Sequence, residues 1–139
     1  MKDFEFYVKE TSIRKISPDL NLAKSLAKDS VERLESSKKM IKFLKPKYAL
    51  ENAYESIREM IDAILEYDGY KSYSHEGSIS YMLKLGFSIS EVNRIDLLRK
   101  ARNGIKYYGE DASENEAKQA INSAEEIIKK LLEKRIKLK

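Results

Sequence analysis

A long amphipathic pattern in the middle of the chain limits the fold more than any other sequence feature. Between Pro46 and Gly69, apolar residues recur every three or four positions; they are Leu50, Ala53, Tyr54, Ile57, Met60, Ile61, Ile64 and Leu65. This spacing is that of one face of an α-helix. A proline at the start and a glycine after the end are typical helix boundaries. The segment is therefore predicted to be a helix of about six turns that buries one side.

Capping residues and apolar spacing predict four further helices. A serine followed three positions later by glutamate is a capping box, which satisfies free N–H groups at a helix start. A short helix is expected from His75 to Leu85, before Gly86. Three long helices are expected from Ser17-Pro18-Asp19 to Pro46, from the Ser88/Glu91 box to Tyr108, and from the Ser113/Glu116 box through Leu131.

Together these segments predict an all-α fold, an antiparallel up-and-down four-helix bundle with one additional short helix. At 139 residues the chain has the length of a single domain. Residues 17–139 are assigned to the bundle, and residues 1–16 form an N-terminal lead-in without a clear pattern. No segment carries a convincing strand pattern, and the tyrosine-rich stretch Tyr70–Ser74 is expected to be a loop.

The composition excludes several classes of function. With no cysteine and a single histidine, His75, the chain lacks the ligands of a Cys/His zinc site and of a di-iron bundle. It also lacks the glycine-rich phosphate-binding loops of nucleotide-binding folds. We therefore expect neither a metal nor a cofactor.

The sequence also predicts a cytoplasmic protein that does not enter a membrane. Acidic residues follow Met1 where a secretory signal has its apolar core, and no apolar run approaches the roughly 20 residues that span a bilayer. The absence of cysteine is compatible with a reducing compartment.

The candidate site lies on the predicted helix that ends at Tyr108. One side of its helical wheel is apolar and is expected to face the core; it carries Leu97, Leu98, Ala101, Ile105 and Tyr108. The opposite side is polar, spans an arc of about 140°, and carries Arg99, Arg102, Asn103, Lys106 and Tyr107. An arginine offers a planar set of donors that suits phosphate oxygens. The same strip is also what an ordinary solvated helix face looks like.

Gly104 lies at the border between these two sides. A glycine inside a helix costs about 1 kcal/mol relative to alanine. The close approach of another backbone, such as that of a second subunit, is the expected reason for its presence.

Arg102-Asn103-Gly104-Ile105-Lys106-Tyr107-Tyr108-Gly109 resembles the signature of the HEPN superfamily of small helical-bundle proteins. In that signature an arginine, usually followed by a polar residue, precedes a histidine after a spacing of four to six residues. Residues 13–26 and 69–76 are also similar to stretches of archaeal and bacterial members. The resemblance therefore extends over about residues 13–110 and supports the bundle prediction.

The resemblance implies a homodimer in which the signature helices of two subunits share a cleft. Many such proteins are metal-independent endoribonucleases of toxin–antitoxin or defence systems, encoded beside a small nucleotidyltransferase. By position, Arg102 would hold the scissile phosphate and Asn103 would be its polar companion. The first position for the histidine is Tyr107, a phenol that titrates near pH 10 and is a poor base at neutral pH. Lys106 would take over that role only if neighbouring cations lowered its pKa.

Three functions follow as alternatives. The first is a dimer that binds RNA or nucleotide phosphates through Arg99, Arg102, Asn103 and Lys106, with weakened ribonuclease activity. The second is a non-catalytic bundle that binds another protein, as an antitoxin or as the adaptor of a nucleotidyltransferase. The third is a metal-independent ribonuclease that uses Tyr107 or Lys106. His75 is a secondary candidate, either a displaced proton carrier or a residue that only caps or packs the short helix.

Overall fold

The computed structural model describes residues 1–139 and is almost entirely helical. Short connections join the helices, and the two strands are only three residues long. The helices are α1 (Phe4–Lys9), α2 (Leu20–Met40), α3 (Pro46–Asp68), α4 (His75–Lys84), α5 (Ile89–Tyr108) and α6 (Glu114–Lys134), followed by a 3-10 turn (Ile136–Leu138). The strands are β1 (Ile13–Lys15) and β2 (Tyr70–Ser72). The all-α bundle with one shorter helix after the central one is confirmed.

Helix α3 is the centre of the bundle. It packs against α2, α4, α5, α6 and β2, and its predicted apolar stripe is buried along the whole length. Its last turn ends at Gly69, whose φ of 95° is in the left-handed region. A Cβ there would stand 3.0 Å from the Ile16 carbonyl oxygen, so both conformation and space favour glycine. Both predicted boundaries of this helix are confirmed.

The two predicted capping boxes are present. Ser88 accepts a hydrogen bond from the Glu91 N–H at 3.1 Å, and the Glu91 carboxylate accepts one from the Ser88 N–H at 3.1 Å. Ser113 and Glu116 make the same reciprocal pair at 3.0 and 3.1 Å. These local hydrogen bonds fix the starts of α5 and α6 where the sequence predicts them.

Residues 1–16 contain structure that the sequence pattern did not reveal. Phe4 and Tyr7 of α1 are buried, and the Phe4 ring lies 4.6 Å from that of Tyr81. Strand β1 pairs with β2 in antiparallel register, with Ile13 opposite Ser72. The expectation of no strands and of a loop at Tyr70–Ser74 is therefore wrong. Strands of three residues are too short for alternation to be visible in the sequence.

Helix α2 is shorter at both ends than predicted. Its N-cap is Asp19, which accepts a hydrogen bond from the Leu22 N–H at 3.0 Å, and its last residue is Met40. Residues 41–45 form a turn instead of continuing to Pro46. Leu44, which lies in this turn, is 49% exposed. A proline limits only the residue before it, so the helix is free to end earlier.

The orientation of α5 differs from the helical-wheel prediction by roughly a quarter turn. Leu97 and Tyr108 were expected in the core but are 65% and 80% exposed, whereas Arg102 is only 6% exposed. The side of α5 that packs on α3 and α4 carries Val92 and Ile95 with Arg102. The wheel treated arginine as a solvent-facing residue, but here a carboxylate on α3 compensates its charge.

Candidate functional site

A polar cleft of about 440 Å³ lies where α3, α5, the middle of α2 and the first residue of α4 meet. Four cationic and two anionic side chains line it, together with an amide, an imidazole and a phenol. The lining residues are Arg33, Glu51, Asn52, Glu55, Arg58, His75, Arg102, Lys106 and Tyr107. The cleft therefore brings together Arg102, Lys106, Tyr107 and His75 from the sequence-predicted set.

Arg102 forms the inner wall of this cleft. Its Nη2 lies 2.8 Å from Glu55 Oε1, and its Nη1 donates a hydrogen bond to Asn103 Oδ1 at 3.1 Å. The guanidinium carbon is 5.8 Å from the ring centre of Tyr54 and 5.9 Å from that of Tyr107. Two aromatic rings and a carboxylate thus hold the guanidinium in a fixed orientation. Asn103 acts here as the polar companion of the arginine.

Two buried polar atoms in the cleft have no hydrogen-bond partner. They are Glu55 Oε1 and Arg58 Nε, and they are the only such side-chain atoms in the chain. Glu55 Oε1 is close to Arg102 but out of line for a hydrogen bond, and Arg58 Nε stands 3.7 Å from Asp62 Oδ2. A buried donor without a partner costs about 1–3 kcal/mol. The Arg58 guanidinium, which lines the cleft, thus pairs with Asp62 but leaves its Nε without a hydrogen bond.

His75 is the first residue of α4, which Ser74 caps. Its Nδ1 is 2.9 Å from the hydroxyl of Tyr54, and the two rings are parallel to within 6°. Burial lowers the pKa of His75 to about 4, and the nearby Arg58 guanidinium acts in the same direction. At neutral pH the imidazole is uncharged.

Lys106 and Tyr107 form the open edge of the cleft. Tyr107 is 62% exposed, and Lys106 Nζ lies 5.8 Å from the centre of its ring. Lys106 makes no salt bridge, unlike the arginines that line the cleft. This edge presents one uncompensated cation and one aromatic face to solvent.

Arg99 lies outside the cleft. Its Nε donates to Asp96 Oδ1 at 2.8 Å, and its Nη1 is 3.7 Å from Glu76 Oε1 on α4. Its side chain is 13% exposed. The structure therefore places Arg99 in an ion-pair network between α5 and α4, apart from Arg102 and Lys106.

Gly104 is covered by its own chain. A Cβ at this position would overlap the carboxylate of Glu110, which follows the end of α5. The N–H of Glu110 also donates to the Gly104 carbonyl at 3.1 Å. The neighbour of this glycine within the subunit is a returning side chain and not a second backbone.

Sequence reasoning missed the α2 and α3 residues of the cleft. Helix α3 contributes Glu51, Asn52, Glu55 and Arg58, and helix α2 contributes Arg33. Arg33 donates to Asn52 Oδ1 at 3.1 Å and also pairs with Glu59. The signal was present as a polar stripe along a central helix that is otherwise buried, where solvated polar residues are not expected.

A larger groove of about 670 Å³ lies between α2 and the C-terminal 3-10 turn. Ala27, Val31, Leu132 and Leu138 provide its apolar part, and Lys24 lies at its rim. The charged residues of its lining, Lys24, Lys28, Glu32 and Lys139, are all exposed at its rim. The smaller cleft around Arg102 is therefore the better candidate for a site that recognises a charged ligand.

Two further properties concern metal binding and membrane insertion. No group of three or more histidine and acidic side chains is arranged to hold a metal ion. None of the helices combines the length and the apolar character needed to cross a bilayer.

The fold and the site thus define a small helical-bundle domain with a basic cleft beside an arginine-containing helix. The family model described as HEPN domain matches residues 23–135, which is most of the chain. The chain belongs to the HEPN family. A comparison with the curated proteins finds no match to this chain.

Proposed function

We propose that this HEPN protein is a cytoplasmic homodimer that binds RNA or nucleotide phosphates in the cleft around Arg102. The observation that carries the proposal is the concentration of unsatisfied and cationic groups at one place. Arg58 Nε is a buried donor without a partner, and Lys106 at the rim has no carboxylate partner. A phosphodiester oxygen is a hydrogen-bond acceptor for such donors, and its negative charge would compensate Lys106.

The open edge of the cleft also suits a nucleotide. The exposed ring of Tyr107 stands between Lys106 and Arg102, and aromatic rings of this kind stack on nucleobases. Glu51 and Glu55 compensate part of the positive charge. The cleft is therefore suited to one or two phosphates better than to a long polyanionic track.

The dimer part of the proposal rests on the outward face of α5. Leu97 is 65% exposed, and Leu98 and Ala101 line a shallow groove of about 250 Å³ beside α6. Tyr108, 80% exposed, continues this apolar strip. An exposed apolar strip is typical of an interface. A second copy packed on it would bring two Arg102 clefts to neighbouring positions.

The same strip also favours the second function, a bundle that binds another protein. A small nucleotidyltransferase protein packed on Leu97 and Tyr108 would make this chain its adaptor or antitoxin partner. Sedimentation of the pure chain separates the two, because a homodimer forms without any other protein. A monomer that pairs only with such a partner would favour the adaptor function.

Binding is tested with a fluorescein-labelled single-stranded RNA at low salt. Arg102→Gln is expected to weaken binding roughly 10- to 100-fold, because it removes a charged donor pair. This substitution also leaves Glu55 without its partner, so circular dichroism must show that the variant is folded. Lys106→Ala, at the exposed edge, is the second variant and is expected to reduce the slope of log affinity against log salt by about 1.

The matched control is Lys118→Ala on α6. Lys118 is 60% exposed and does not line the cleft, and its loss removes the same charge as Lys106→Ala. Equal effects of the two lysine variants, or unchanged binding by folded Arg102→Gln, would contradict the proposed site.

Ribonuclease activity by this cleft is expected to be weak. A general acid or base contributes about 10²–10⁴-fold, and the signature position holds Tyr107 in place of histidine. The assay incubates the pure protein with the same RNA in EDTA over a range of pH. If the protein cleaves the RNA rapidly, and Tyr107→Phe or Lys106→Ala abolishes the cleavage, the protein is a ribonuclease and does more than bind RNA.

A further inference from the structure

A buried tyrosine, Tyr54, makes a polar contact with His75 at the cleft. Tyr54 is fully buried in the middle of α3, and its hydroxyl has one hydrogen-bond partner, Nδ1 of His75, at 2.9 Å. His75 in turn lines the cleft that contains Arg102. The contact therefore connects the buried core to the surface where a ligand would bind.

The direction of this hydrogen bond follows from the need of the buried Tyr54 hydroxyl to donate its proton to an acceptor. A buried hydroxyl that fails to donate its proton costs about 1–3 kcal/mol. The Tyr54 O–H reaches no acceptor other than Nδ1, so it donates and the imidazole nitrogen accepts. A neutral imidazole whose Nδ1 accepts carries its proton on Nε2. That N–H is the polar group of the ring left for a ligand.

We propose that Tyr54 fixes His75 as the Nε2–H tautomer, and that this neutral N–H donates a hydrogen bond to a phosphodiester oxygen held by Arg102. The proposal rests on the proposed binding function and assigns it a further recognition residue. Tyr54 is the positioning residue, and His75 is the residue that would touch the ligand.

The surroundings of His75 keep the ring uncharged. It stands in the first turn of α4, where the positive end of the helix dipole disfavours a cation. Burial lowers its pKa to about 4. The charged groups that act on it most strongly are three cations and one anion; they are Arg58, Glu55, Arg102 and Arg99. Neutral imidazoles at helix N-termini serve as hydrogen-bond donors in other sites.

This tautomer has a consequence for chemistry. A general base needs an unprotonated nitrogen directed at the substrate, but Nδ1 is occupied by Tyr54 and Nε2 already carries a proton. His75 therefore recognises the phosphate and does not take a proton from the ribose hydroxyl. The histidine missing from the signature helix is not replaced by this one.

The tautomer is tested by two-bond proton–nitrogen NMR correlation of the imidazole. Because His75 is the only histidine, its signals need no assignment by mutation. At neutral pH the parent protein is expected to show the Nε2–H pattern, and Tyr54→Phe to show a mixture of tautomers. An Nδ1–H pattern or an imidazolium in the parent would overturn the proposal, and this outcome does not depend on RNA.

The donor role is tested by fluorescence anisotropy with fluorescein-labelled oligo(A) RNA. His75→Asn keeps an acceptor near Nδ1 but lacks the distal donor, so binding is expected to weaken roughly 10-fold. His75→Gln places an amide N–H near the Nε2 position, so binding is expected to stay within about threefold of the parent. The parent affinity is expected to change little between about pH 8 and pH 6, because no imidazolium forms there.

The outcomes separate this inference from the proposed function. If Arg102→Gln loses binding while His75→Asn and His75→Gln bind alike, the cleft is the site and the His75 inference is wrong. Affinity that rises steeply as the pH falls from 8 to about 6 would also overturn it, because an imidazolium would then be the binding form. If the parent does not bind the RNA, the proposed function itself fails.

Discussion

The two sides of α3 differ in the kind of contact they make, apolar towards α6 and partly charged towards α5. Towards α6 the contact is apolar, and Ala117, Ala124, Ile127 and Leu131 are fully buried. Towards α5 the contact contains Arg102, Glu55 and the cleft. An apolar stripe orients a helix by the hydrophobic effect alone, whereas α5 is oriented by paired charges as well. The side of α3 with less apolar packing is the side that carries the polar cleft.

The largest expected contrast between the two sides comes from a pair of leucine truncations. Leu131→Ala on α6 removes a fully buried side chain and is expected to lower the free energy of unfolding by about 2–5 kcal/mol. Leu97→Ala on α5 is expected to change it by less than about 0.5 kcal/mol, because that leucine is 65% exposed. Urea unfolding followed by circular dichroism measures both.

Comparable losses in these two variants would mean that α5 faces the core with its other side. A loss for Leu97→Ala that depends on protein concentration would instead indicate that Leu97 is buried in a dimer.

The polar side should also respond to pH through two groups that oppose each other. Burial raises the pKa of Asp62 from 3.8 to about 6, whereas it lowers that of His75 from 6.5 to about 4. Between these values the folded state binds the Asp62 proton more tightly than the unfolded chain does, so the Asp62 contribution to stability falls as pH rises. The folded state binds the His75 proton less tightly, so that contribution rises with pH.

Replacing one of the two groups should therefore reveal the pH dependence of stability that the other contributes. From pH 4 to pH 6, the Asp62 contribution is expected to lower the stability of His75→Gln by about 1–2 kcal/mol, after allowance for the 24% exposure of the Asp62 side chain. The His75 contribution is expected to raise the stability of Asp62→Asn by a similar amount, so the two variants should diverge by about 2–4 kcal/mol. Urea unfolding at several pH values gives the two curves. Parallel curves for the two variants would show that the opposing shifts do not exist.

The smallest expected effect concerns Gly104. In Gly104→Ala the three atoms nearest to the new methyl group all belong to the carboxylate end of Glu110, a long side chain that can turn away, and alanine gains up to about 1 kcal/mol of helix propensity. The net change in the free energy of unfolding is therefore expected to stay within about 1 kcal/mol. Sedimentation tests the original expectation as well, because dissociation of the dimer by Gly104→Ala would mean that a second subunit approaches this glycine.

The sequence predicted where helices begin and end better than it predicted which side of a helix faces the core. The bounds of α3 and the caps of α5 and α6 depend on neighbours within a few residues, and these were recognised. The orientation of α5 depends on which apolar strip finds a partner, and its sequence carries two incomplete strips, one with Val92 and Ile95 and one with Leu97 and Ala101. Local periodicity gives them nearly equal weight.

The candidate site was predicted in part for the same reason. Arg102, Asn103, Lys106 and Tyr107 are close in sequence, so one segment indicated all of them. Arg33, Glu55 and Arg58 are distant in sequence and reach the cleft only because α2 and α3 pack side by side. No spacing rule links these groups before the chain is folded.

By itself, the sequence determined that this chain is a helical bundle and where most of its helices begin and end, because helix formation and capping are governed by residues within about one turn. Only the tertiary structure decided that Arg102 faces inward, that Glu55 compensates it, and that His75 meets Tyr54 across 21 positions of sequence. Those contacts depend on burial and on charge pairing between separate helices, and neither is written in the periodicity of any one of them.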